Sequence, residues 1–439
     1  MPRSLSLAAP KINAVSPCVH THAQRGRAAR ERLAARDELP CPTVTMTVVR
    51  LKPGHVQPVW VGHPWVYAQA VDRIEGESLA GDEVSVVDPR GNLLGRGFYS
   101  PGSAIPVRIL VRDTTTAIDA AFFRNRIERA VVARRMLDLP SDETSGFRLV
   151  NAEGDGLPGL TVDRYADVLA VQFGTAGMNR HQAAVLDALE ELEGPRAIVD
   201  RTSPRTAASE GFETAGGVIR GTSVEALEFL ERGFAFRIPT TLGQKTGFYF
   251  DQRPLRGRVE HLARGATRVL DAYAFVGAFA MAAVRGGARE VVAVEESAAA
   301  VAAGIACAGQ NGFADRIEFV RDDVRRVFAS RRAEFDLVIA DPPRLAPTRS
   351  SRGPALVAYS KLAENACLAT RPGGHVVLCS CSATVDLDSL TRALATGAVR
   401  ANVAATVVER SFQGPDHPVP AAFDEGLYLK ALVARIDAR

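Results

Sequence analysis

Long apolar runs, cysteine and lysine are all scarce in this chain of 439 residues. No stretch approaches the roughly 18 apolar residues that a helix needs to cross a bilayer, which argues against a membrane role. The six cysteines are spread unevenly and do not form the dense pattern of a small secreted domain, so we expect a reduced, cytoplasmic protein. The segment Cys18-Val-His20-Thr-His22 would have to take a fourth metal ligand from a tail with no predicted fold, so no metal site is predicted.

The positive charge is unevenly distributed and is carried almost entirely by arginine, because the chain has only five lysines. Residues 1–45 hold seven basic and three acidic residues, a net of +4, so the overall +3 leaves about −1 for the remainder. Net charge therefore gives no argument for nucleic-acid binding, which would have to rest on local patches. The same 45 residues show no sustained periodicity, which predicts a disordered extension. A mis-assigned start ahead of Met46 is favoured over an amphipathic, Arg-rich targeting segment.

The rest of the chain divides into three patterns. Residues 46–117 alternate short β patterns with turn signals, which predicts a small β-barrel. Residues 118–240 begin with an amphipathic helix over 118–139 and continue as strands and a hairpin, which predicts an α+β connecting domain. In residues 241–439, five strand signals alternate with helices and two more follow as a hairpin, at 268–272, 290–294, 316–320, 335–340, 375–379, 403–410 and 427–436. This rhythm predicts an α/β fold with a seven-stranded, class I methyltransferase sheet rather than a dinucleotide dehydrogenase.

The loop after the first of these strands contains a single glycine. The strand ends at Asp271, and Phe275 and Gly277 follow in the loop. The dinucleotide fingerprint needs several glycines so that a pyrophosphate can approach the helix N-terminus. One glycine is better suited to a nucleoside without a diphosphate, such as S-adenosylmethionine.

Acidic residues follow the next two strands. Glu295 stands where a carboxylate can accept both ribose hydroxyls, although an N-cap or surface role is equally open. After the third strand, one of Asp322 and Asp323 could bind the adenine amino group while the other caps the next helix. Acids at consecutive strand ends support a nucleoside site better than any one of them alone.

The fourth strand ends in Asp341-Pro342-Pro343-Arg344, whose two prolines fix a rigid loop at the sheet edge. Methyltransferases that act on amino nitrogens usually follow such a loop with an aromatic residue that stacks on the target base. Arg344 stands there instead. This disfavours methylation of an exocyclic amine and leaves carbon as the acceptor atom.

A carbon acceptor explains a thiol at the end of the fifth strand. Cys379 lies within that apolar run and is expected to be structural, whereas Cys381 falls at its carboxyl edge. The C5 atom of a pyrimidine is a poor nucleophile, so enzymes that methylate it first add a thiolate to C6. Cys381 is therefore the predicted nucleophile, and burial as a small apolar residue is the alternative.

These motifs resemble those of the bacterial ribosomal RNA large-subunit cytosine-C5 methyltransferases. The resemblance covers about residues 46–437 and rests on Gly243–Arg253, Asp341-Pro342-Pro343, Ser380-Cys381-Ser382, Asp416-His417-Pro418, Glu425–Lys430 and His63-Pro64-Trp65-Val66. One departure is Asp-Pro-Pro-Arg-Leu in place of the usual Asp-Pro-Pro-Lys-Phe, which leaves the position of the substrate open.

The resemblance implies a PUA RNA-binding barrel, a connecting domain and a domain that binds S-adenosylmethionine. It implies that Cys381 is the nucleophile. The acceptor of the C5 proton is not identified; Asp341 and His417 are candidates, and either could serve in positioning instead. The run after residue 243 would line the cofactor pocket through Gln244, Lys245, Thr246, Phe248, Asp251 and Arg253. The expected substrate is 23S ribosomal RNA, naked or in a large-subunit particle, and a homodimer is one possible oligomeric state.

Two other readings stay open from the residues. The enzyme could methylate another base or another RNA with Cys381 merely structural. Alternatively, it could be an RNA-binding assembly factor whose methyltransferase domain is inactive, although the acids at the strand ends argue against that loss.

Overall fold

The computed structural model describes residues 46–242, 246–346 and 350–439. The extension at residues 1–45, and with it Cys18, His20 and His22, lies outside the described residues. Within the described part, three sheets and one separate hairpin follow each other along the chain. No helix there combines the length and the apolar character that crossing a membrane requires.

The first sheet has six strands, because short runs such as Glu83–Val87 alternate outward polar residues with buried Val84 and Val86. Its strand order is β2-β6-β5-β4-β1-β3, and β1 and β4 are the parallel pair. The elements are β1 (Val48–Leu51), α1 (Val56–Val61), β2 (Trp65–Val66), β3 (Val71–Glu75), β4 (Glu83–Val87), β5 (Leu93–Tyr99) and β6 (Val107–Val111).

The second sheet has five strands in the order β11-β10-β9-β8-β7, followed by a separate hairpin, β12-β13. Its first helix starts where the Asp119 side chain accepts a hydrogen bond from Phe122 N, 2.9 Å away. The elements are α2 (Ala120–Arg135), β7 (Gly146–Asn151), β8 (Leu160–Tyr165), β9 (Val168–Phe173), α3 (Ala176–Arg180), α4 (Gln182–Glu193), β10 (Ala197–Asp200), α5 (Pro204–Glu210), β11 (Gly217–Gly221), β12 (Ala226–Glu231) and β13 (Phe234–Pro239).

The third sheet has seven strands in the order β16-β15-β14-β17-β18-β20-β19. All neighbours are parallel except those of β20, which is antiparallel to β18 and β19. The elements are α6 (Arg253–Leu262), β14 (Arg268–Ala272), α7 (Ala278–Gly286), β15 (Glu290–Val294), α8 (Ala298–Gln310), β16 (Ile317–Val320), α9 (Val324–Ser330), β17 (Phe335–Ala340), α10 (Arg352–Ala369), β18 (Thr370–Ser380), α11 (Leu387–Arg400), β19 (Val403–Phe412) and β20 (Lys430–Ala438).

The third sheet is buried on both faces, which is why its central strands read as unbroken apolar runs. Val269 and Leu337 belong to a core shared with α6, α7, α8 and the β12-β13 hairpin. Leu270 and Val338 point the other way, into a core shared with α9, α10 and α11. The predicted α/β class and the seven-stranded sheet are confirmed.

One strand differs from its prediction. We expected a strand over 375–379 opened by Pro372-Gly373-Gly374, but β18 already pairs with β17 at Thr370. The register shifts between Thr370 and His375, and Gly373 has a φ of +83°. The Pro-Gly-Gly segment is thus a bulge inside the strand, where a left-handed glycine costs little.

Candidate active site

The carboxyl ends of five parallel strands meet at one edge of the third sheet. Ala272 pairs with Val294 on one side and with Ala340 on the other, Val294 pairs with Val320, and Ala340 pairs with Leu378. The strand order reverses between β14 and β17, where doubly wound sheets bind their ligands. The predicted Asp271, Glu295, Asp322, Asp341 and Cys381 all lie within three residues of this row.

Asp271 and Gly277 define the loop after β14. Asp271 is fully buried, and its Oδ2 accepts a hydrogen bond from Ala280 N at 2.9 Å. Gly277 precedes α7 with a φ of +75°, and a Cβ there would lie 2.7 Å from the ring of Phe319. The glycine is therefore required both by its backbone conformation and by the close approach of that ring.

Glu295 turns back toward the same loop. One carboxylate oxygen accepts from Phe275 N at 3.1 Å and the other accepts from Ser297 N at 2.8 Å. Phe275 itself has a φ of +51°, an uncommon conformation for a side-chain-bearing residue. Each carboxylate oxygen retains a second lone pair for a hydroxyl donor.

The structure separates the roles of the two acids after β16. Asp323 is the N-cap of α9, accepting from Arg325 N at 2.8 Å, and it also pairs with the Arg325 guanidinium at 2.6 Å. Asp322 accepts from the backbone N of Asp323 at 2.7 Å. Asp323 is thus used in capping, and Asp322 remains the candidate for the adenine amino group.

Asp341 follows β17 directly and is held by two side chains. Gln252 Nε2 donates to its Oδ2 at 2.9 Å, and the Cys379 thiol also hydrogen-bonds to the carboxylate. Burial, followed by repulsion from Asp251, raises the pKa of Asp341 to about 7. A carboxyl group with this pKa can exchange a proton near neutral pH.

Cys381 comes immediately after β18 and is half-buried, in contrast to the fully buried Cys379. Ser380 and Ser382 on either side of it are buried. Ser382 Oγ accepts from Ala346 N at 3.1 Å, which ties the segment carrying Cys381 to the loop that follows Asp341. The thiol is therefore placed one strand along from Asp341, at an anchored turn.

Several polar residues at this edge escaped the sequence reasoning. Gln252 lies in the motif Gly243–Arg253, which predicts no individual role for it, yet its side chain holds Asp341. Tyr428 donates to Asp251 Oδ2 at 2.6 Å. Burial, with further contributions from Asp341 and other acids, raises the pKa of Tyr249 to about 12. All three lie in the motifs Gly243–Arg253 and Glu425–Lys430, but a sequence motif does not show which of its side chains face the edge of the sheet.

Three residues predicted to line the cofactor pocket make their contacts elsewhere. Thr246 Oγ1 donates to Asp163 in the second sheet. Phe248 is buried among the rings of the β12-β13 hairpin, 5.0 Å from the Phe229 ring centroid. Arg253 donates to Asp416 at 2.6 Å. These are the contacts that the structure shows for the three residues, and their part in the cofactor pocket stays a prediction. The predicted Gln244 and Lys245 lie outside the described residues.

His417, one of the two candidates for the C5 proton acceptor, lies in an ion-pair network. It is buried, and its Nδ1 is 3.1 Å from Asp416 Oδ1. The other oxygen of Asp416 accepts from Arg253 and from Arg148 N at 3.1 Å. Its neighbours hold the pKa of Asp416 below its usual range, His417 first among them, against the opposing effect of burial. The described side-chain contact of His417 thus lies in this network, whereas Asp341 directly follows β17, the strand that pairs with β18.

The site offers unpaired acceptors to a ligand. Among the described residues, Asp271 Oδ1 and Gln252 Oε1 are buried side-chain oxygens without a hydrogen-bond partner. Buried acceptors of this kind are costly unless a ligand supplies the donors. The amino and hydroxyl groups of an amino-acid-bearing nucleoside are donors of the required type, so the residues present fit such a group.

Asp271 leads to a prediction about pH. Burial raises its pKa to about 7, so between about pH 4 and pH 7 the folded protein holds a proton that the unfolded chain has released. Stability from this group is present at low pH and is lost as pH rises toward 7. Asp271→Asn cannot ionise, so the ligand-free variant should gain stability over wild type by a few kcal/mol more at pH 8 than at pH 5.

Urea unfolding of both proteins at the two pH values measures this difference. Asp341 titrates in the same range, so the variant should keep part of the decline. Parallel pH profiles for the two proteins would show that Asp271 is ionised at no extra cost.

Comparisons with known proteins agree with this geometry. Residues 49–112 match the PUA-like domain, and residues 117–435 match the S-adenosylmethionine-dependent methyltransferase family. The chain is 36% identical over 383 residues to proteins from Yersinia pseudotuberculosis and Yersinia pestis named ribosomal RNA large subunit methyltransferase I, an alignment covering 85% of this chain and 95% of each relative.

Two solved structures share the fold over 89% of this chain and all of theirs. SMU.776, described as a methyltransferase complexed with SAH, has a TM-score of 0.78 at 17% identity. A Streptococcus mutans protein described as a SAM-dependent methyltransferase has a TM-score of 0.77 at 18% identity. The strand order, the acidic strand ends and the match over residues 117–435 lead to one conclusion: the chain belongs to the S-adenosylmethionine-dependent methyltransferase family, with a PUA-like domain ahead of the methyltransferase region.

Proposed function

We propose that this protein methylates C5 of a cytosine in large-subunit ribosomal RNA, using Cys381 as the nucleophile. The observation that carries the proposal is the position of Cys381, directly after β18 at the edge where the acids of the neighbouring strands converge. The names of the Yersinia relatives support large-subunit ribosomal RNA as the substrate, and the PUA-like region supports RNA binding. Cytosine C5 is inferred from the thiol and from Arg344 in the place of a stacking aromatic residue.

The proposed cofactor residues follow the order of the strands. Asp271 and Gln252 would accept from the amino-acid portion, Glu295 from the ribose hydroxyls and Asp322 from the adenine amino group. Bound there, S-adenosylmethionine would supply the electrophilic methyl group. Gly277 would leave room at the start of α7, where any side chain meets Phe319.

The protein's own groups would carry the remaining steps. The Cys381 thiolate adds to C6 of cytosine, forming an S–C6 bond and moving an electron pair to C5. C5 would then take the methyl group as the bond between that methyl and the sulfonium sulfur of the cofactor breaks, which leaves a neutral thioether. Asp341, ionised in a fraction of molecules at neutral pH, accepts the C5 proton. The electron pair left at C5 re-forms the C5–C6 double bond, the S–C6 bond breaks, and the thiolate is regenerated.

The target base has to leave its stack for this chemistry. Extruding a paired base costs a few kcal/mol, and an unpaired base costs less. We therefore infer a single-stranded or locally opened segment of the RNA as the substrate. The family resemblance also predicts naked RNA or a large-subunit particle as the substrate, and a homodimer as one possible oligomeric state.

Trapping with 5-fluorocytosine tests the proposed function. A fluorine at C5 cannot be removed as a proton is, so the S–C6 bond should persist after methyl transfer. Wild-type protein incubated with S-adenosylmethionine and 5-fluorocytosine-substituted large-subunit RNA should give a slowly migrating RNA–protein band on a denaturing gel, and Cys381→Ala should give none.

Cys367→Ala serves as the matched control, because Cys367 is buried in α10 and takes no part in the site. Bisulfite sequencing of RNA methylated with the unmodified base then identifies the nucleotide. An adduct that survives Cys381→Ala, or the absence of any adduct with active wild-type protein, would show that Cys381 is not the nucleophile.

A further inference from the structure

Lys430, the first residue of β20, is a buried lysine beside the segment that carries Cys381. Its side chain is largely inaccessible, at 4% exposure for the residue. Lys430 pairs with Ser380 across the antiparallel β18-β20 ladder, so it stands next to the residue that precedes Cys381. Its Nζ donates to the carbonyl oxygens of Ser382, at 3.1 Å, and of Val385, at 2.8 Å.

This ammonium group lacks the partner that buried cations usually have. Among the described residues, no carboxylate lies within ion-pair distance of Lys430 Nζ, and two of its three N–H donors reach carbonyl oxygens only. Burial lowers the pKa of Lys430 to about 8, against opposing effects from Asp386 and Cys381. A charge held this way is expensive and needs a compensating interaction.

Asp386 provides part of that compensation, but it does not form an ion pair with Lys430. Asp386 caps α11, accepting from Ser389 N at 2.7 Å, and pairs with Arg352 at 3.0 Å at an exposed position. Arg352 also reaches the carbonyl of Thr384, so a second cation approaches the segment, but its charge is matched by Asp386. Cys381, which carries a negative charge when it is ionised, is the other group that opposes the lowering of the Lys430 pKa.

We propose that Lys430 is a positioning residue for Cys381, whose ammonium stabilises the thiolate and whose two hydrogen bonds fix the segment after it. The inference rests on the proposed role of Cys381 as nucleophile. A thiolate, not a thiol, adds to C6, so a cation beside the sulfur increases the reactive fraction at neutral pH. A neutral donor would be enough to make the two hydrogen bonds to carbonyl oxygens. The positive charge of the lysine is the additional property that would stabilise a thiolate.

Five described titratable groups near Cys381 and Lys430 are negative or neutral. They come from the ends of β17 and β18, from α10, from the segment before α6 and from the cap of α11, and they are Asp341, Cys379, Tyr359, Tyr249 and Asp386. Burial raises the pKa of both tyrosines to about 12, so they are neutral at physiological pH. Asp341 opposes the thiolate when it is ionised, which increases the need for a nearby cation.

The pH dependence of Cys381 alkylation tests the inference without RNA or cofactor. Full-length wild type, Lys430→Met, Lys430→Gln and Lys430→Arg are treated with iodoacetamide across pH 6–10, and the Cys381 peptide is quantified by mass spectrometry. Removing the positive charge of Lys430 from the neighbourhood of Cys381 should raise the pH midpoint of alkylation by about one unit or more. Alkylation at pH 7 should then be about tenfold slower. Lys430→Arg should keep most of the wild-type profile.

The variants separate charge from anchoring. Lys430→Gln keeps a hydrogen-bond donor for a carbonyl oxygen, and Lys430→Met does not. A raised alkylation midpoint in both variants therefore identifies the lost charge as the cause. Lys361→Met is the matched control, because Lys361 is an exposed residue of α10 paired with Glu364 at 2.9 Å, and its loss should leave the profile unchanged. Thermal unfolding confirms that each variant is folded.

The outcomes are distinguishable from those of the trapping experiment. Wild-type profiles in folded Lys430→Met and Lys430→Gln would overturn the inference even if the 5-fluorocytosine adduct forms. A shifted alkylation profile in both variants would support the Lys430–Cys381 interaction. If wild type then gave no 5-fluorocytosine adduct, the proposed function would be wrong while this interaction would stand.

Discussion

Replacing Cys381 with alanine is expected to reduce methyl transfer by about 1,000-fold or more, because the reaction loses its nucleophile. The thiol is half-buried at the end of β18 rather than inside the core, so its removal should cost little stability. The acids at the ends of β14, β15 and β16 are unchanged, so cofactor affinity should stay close to wild type. Transfer of labelled methyl groups to large-subunit RNA measures the loss of activity, and equilibrium dialysis measures the affinity for the cofactor.

Cys381→Ser should be as inactive as the alanine variant, since a serine hydroxyl is a weak nucleophile without an activating base. Cys367→Ala, in the core of α10, should retain wild-type turnover and lose only stability. If Cys381→Ala kept more than about a tenth of the wild-type rate, the thiol would be structural, and methylation of another base or atom would become the better explanation.

The sequence was sufficient to predict the sheet and the strand-end residues because both leave local patterns. A strand buried on both faces is a run of apolar residues, and the residue after the run necessarily lies at the sheet edge. Cys381, Asp341 and Glu295 were found in this way. Where a local pattern is ambiguous, the prediction is less accurate. The helix expected over 118–139 ends at Arg135, and the Pro372-Gly373-Gly374 segment expected to open β18 is a bulge inside that strand.

Contacts between distant segments leave no such pattern. Arg253 and Asp416 are 163 positions apart and Gln252 and Asp341 are 89 apart, so neither pair could be read from spacing. Thr246, Phe248 and Arg253 were assigned to the cofactor pocket from a motif as a whole. A motif can equally be maintained by contacts between domains, which is what Thr246 and Arg253 make here.

The segment between β19 and β20 shows how far these contacts extend. Glu425 accepts from the Tyr67 hydroxyl at 2.6 Å and lies 3.2 Å from His63 Nε2, while Phe423 packs on the ring of Trp65 with centroids 4.6 Å apart. The first sheet is thus joined to the methyltransferase sheet by residues of the motifs His63-Pro64-Trp65-Val66 and Glu425–Lys430. Nearby, Asp416 joins the same segment to the second sheet.

Arg134→Ala is expected to destabilise the protein by about 3–5 kcal/mol, because it breaks a buried ion pair on one side only. Arg134 is 1% exposed and binds Asp155 through two hydrogen bonds of 2.6 and 2.7 Å. It also donates to the carbonyl oxygens of Arg148, at 2.9 Å, and Asp416, at 2.8 Å. Alanine would leave a buried carboxylate and two carbonyl groups without these donors and open a cavity.

The adjacent residue on the same helix provides the control. The Arg135 side chain is 65% exposed and lies 3.9 Å from Glu193, so Arg135→Ala should change the free energy of unfolding by less than about 1 kcal/mol. Arg134→Lys keeps the charge but loses the two-point geometry, and should fall between the two alanine variants. Urea unfolding, followed by far-ultraviolet circular dichroism, compares the three with wild type.

The size of the Arg134 effect decides whether the buried network holds the second sheet to the methyltransferase sheet or merely accompanies their packing. The backbone carbonyl of Asp416 accepts a hydrogen bond from Arg134, and its carboxylate accepts one from Arg253. Arg253 directly follows Gln252, whose side chain holds Asp341. A large loss of stability with a single unfolding transition would mean that the two sheets unfold together through this contact. Equal, small effects of Arg134→Ala and Arg135→Ala would instead assign the cohesion to the apolar cores, with the ion pairs setting only the orientation of the segment around Asp416.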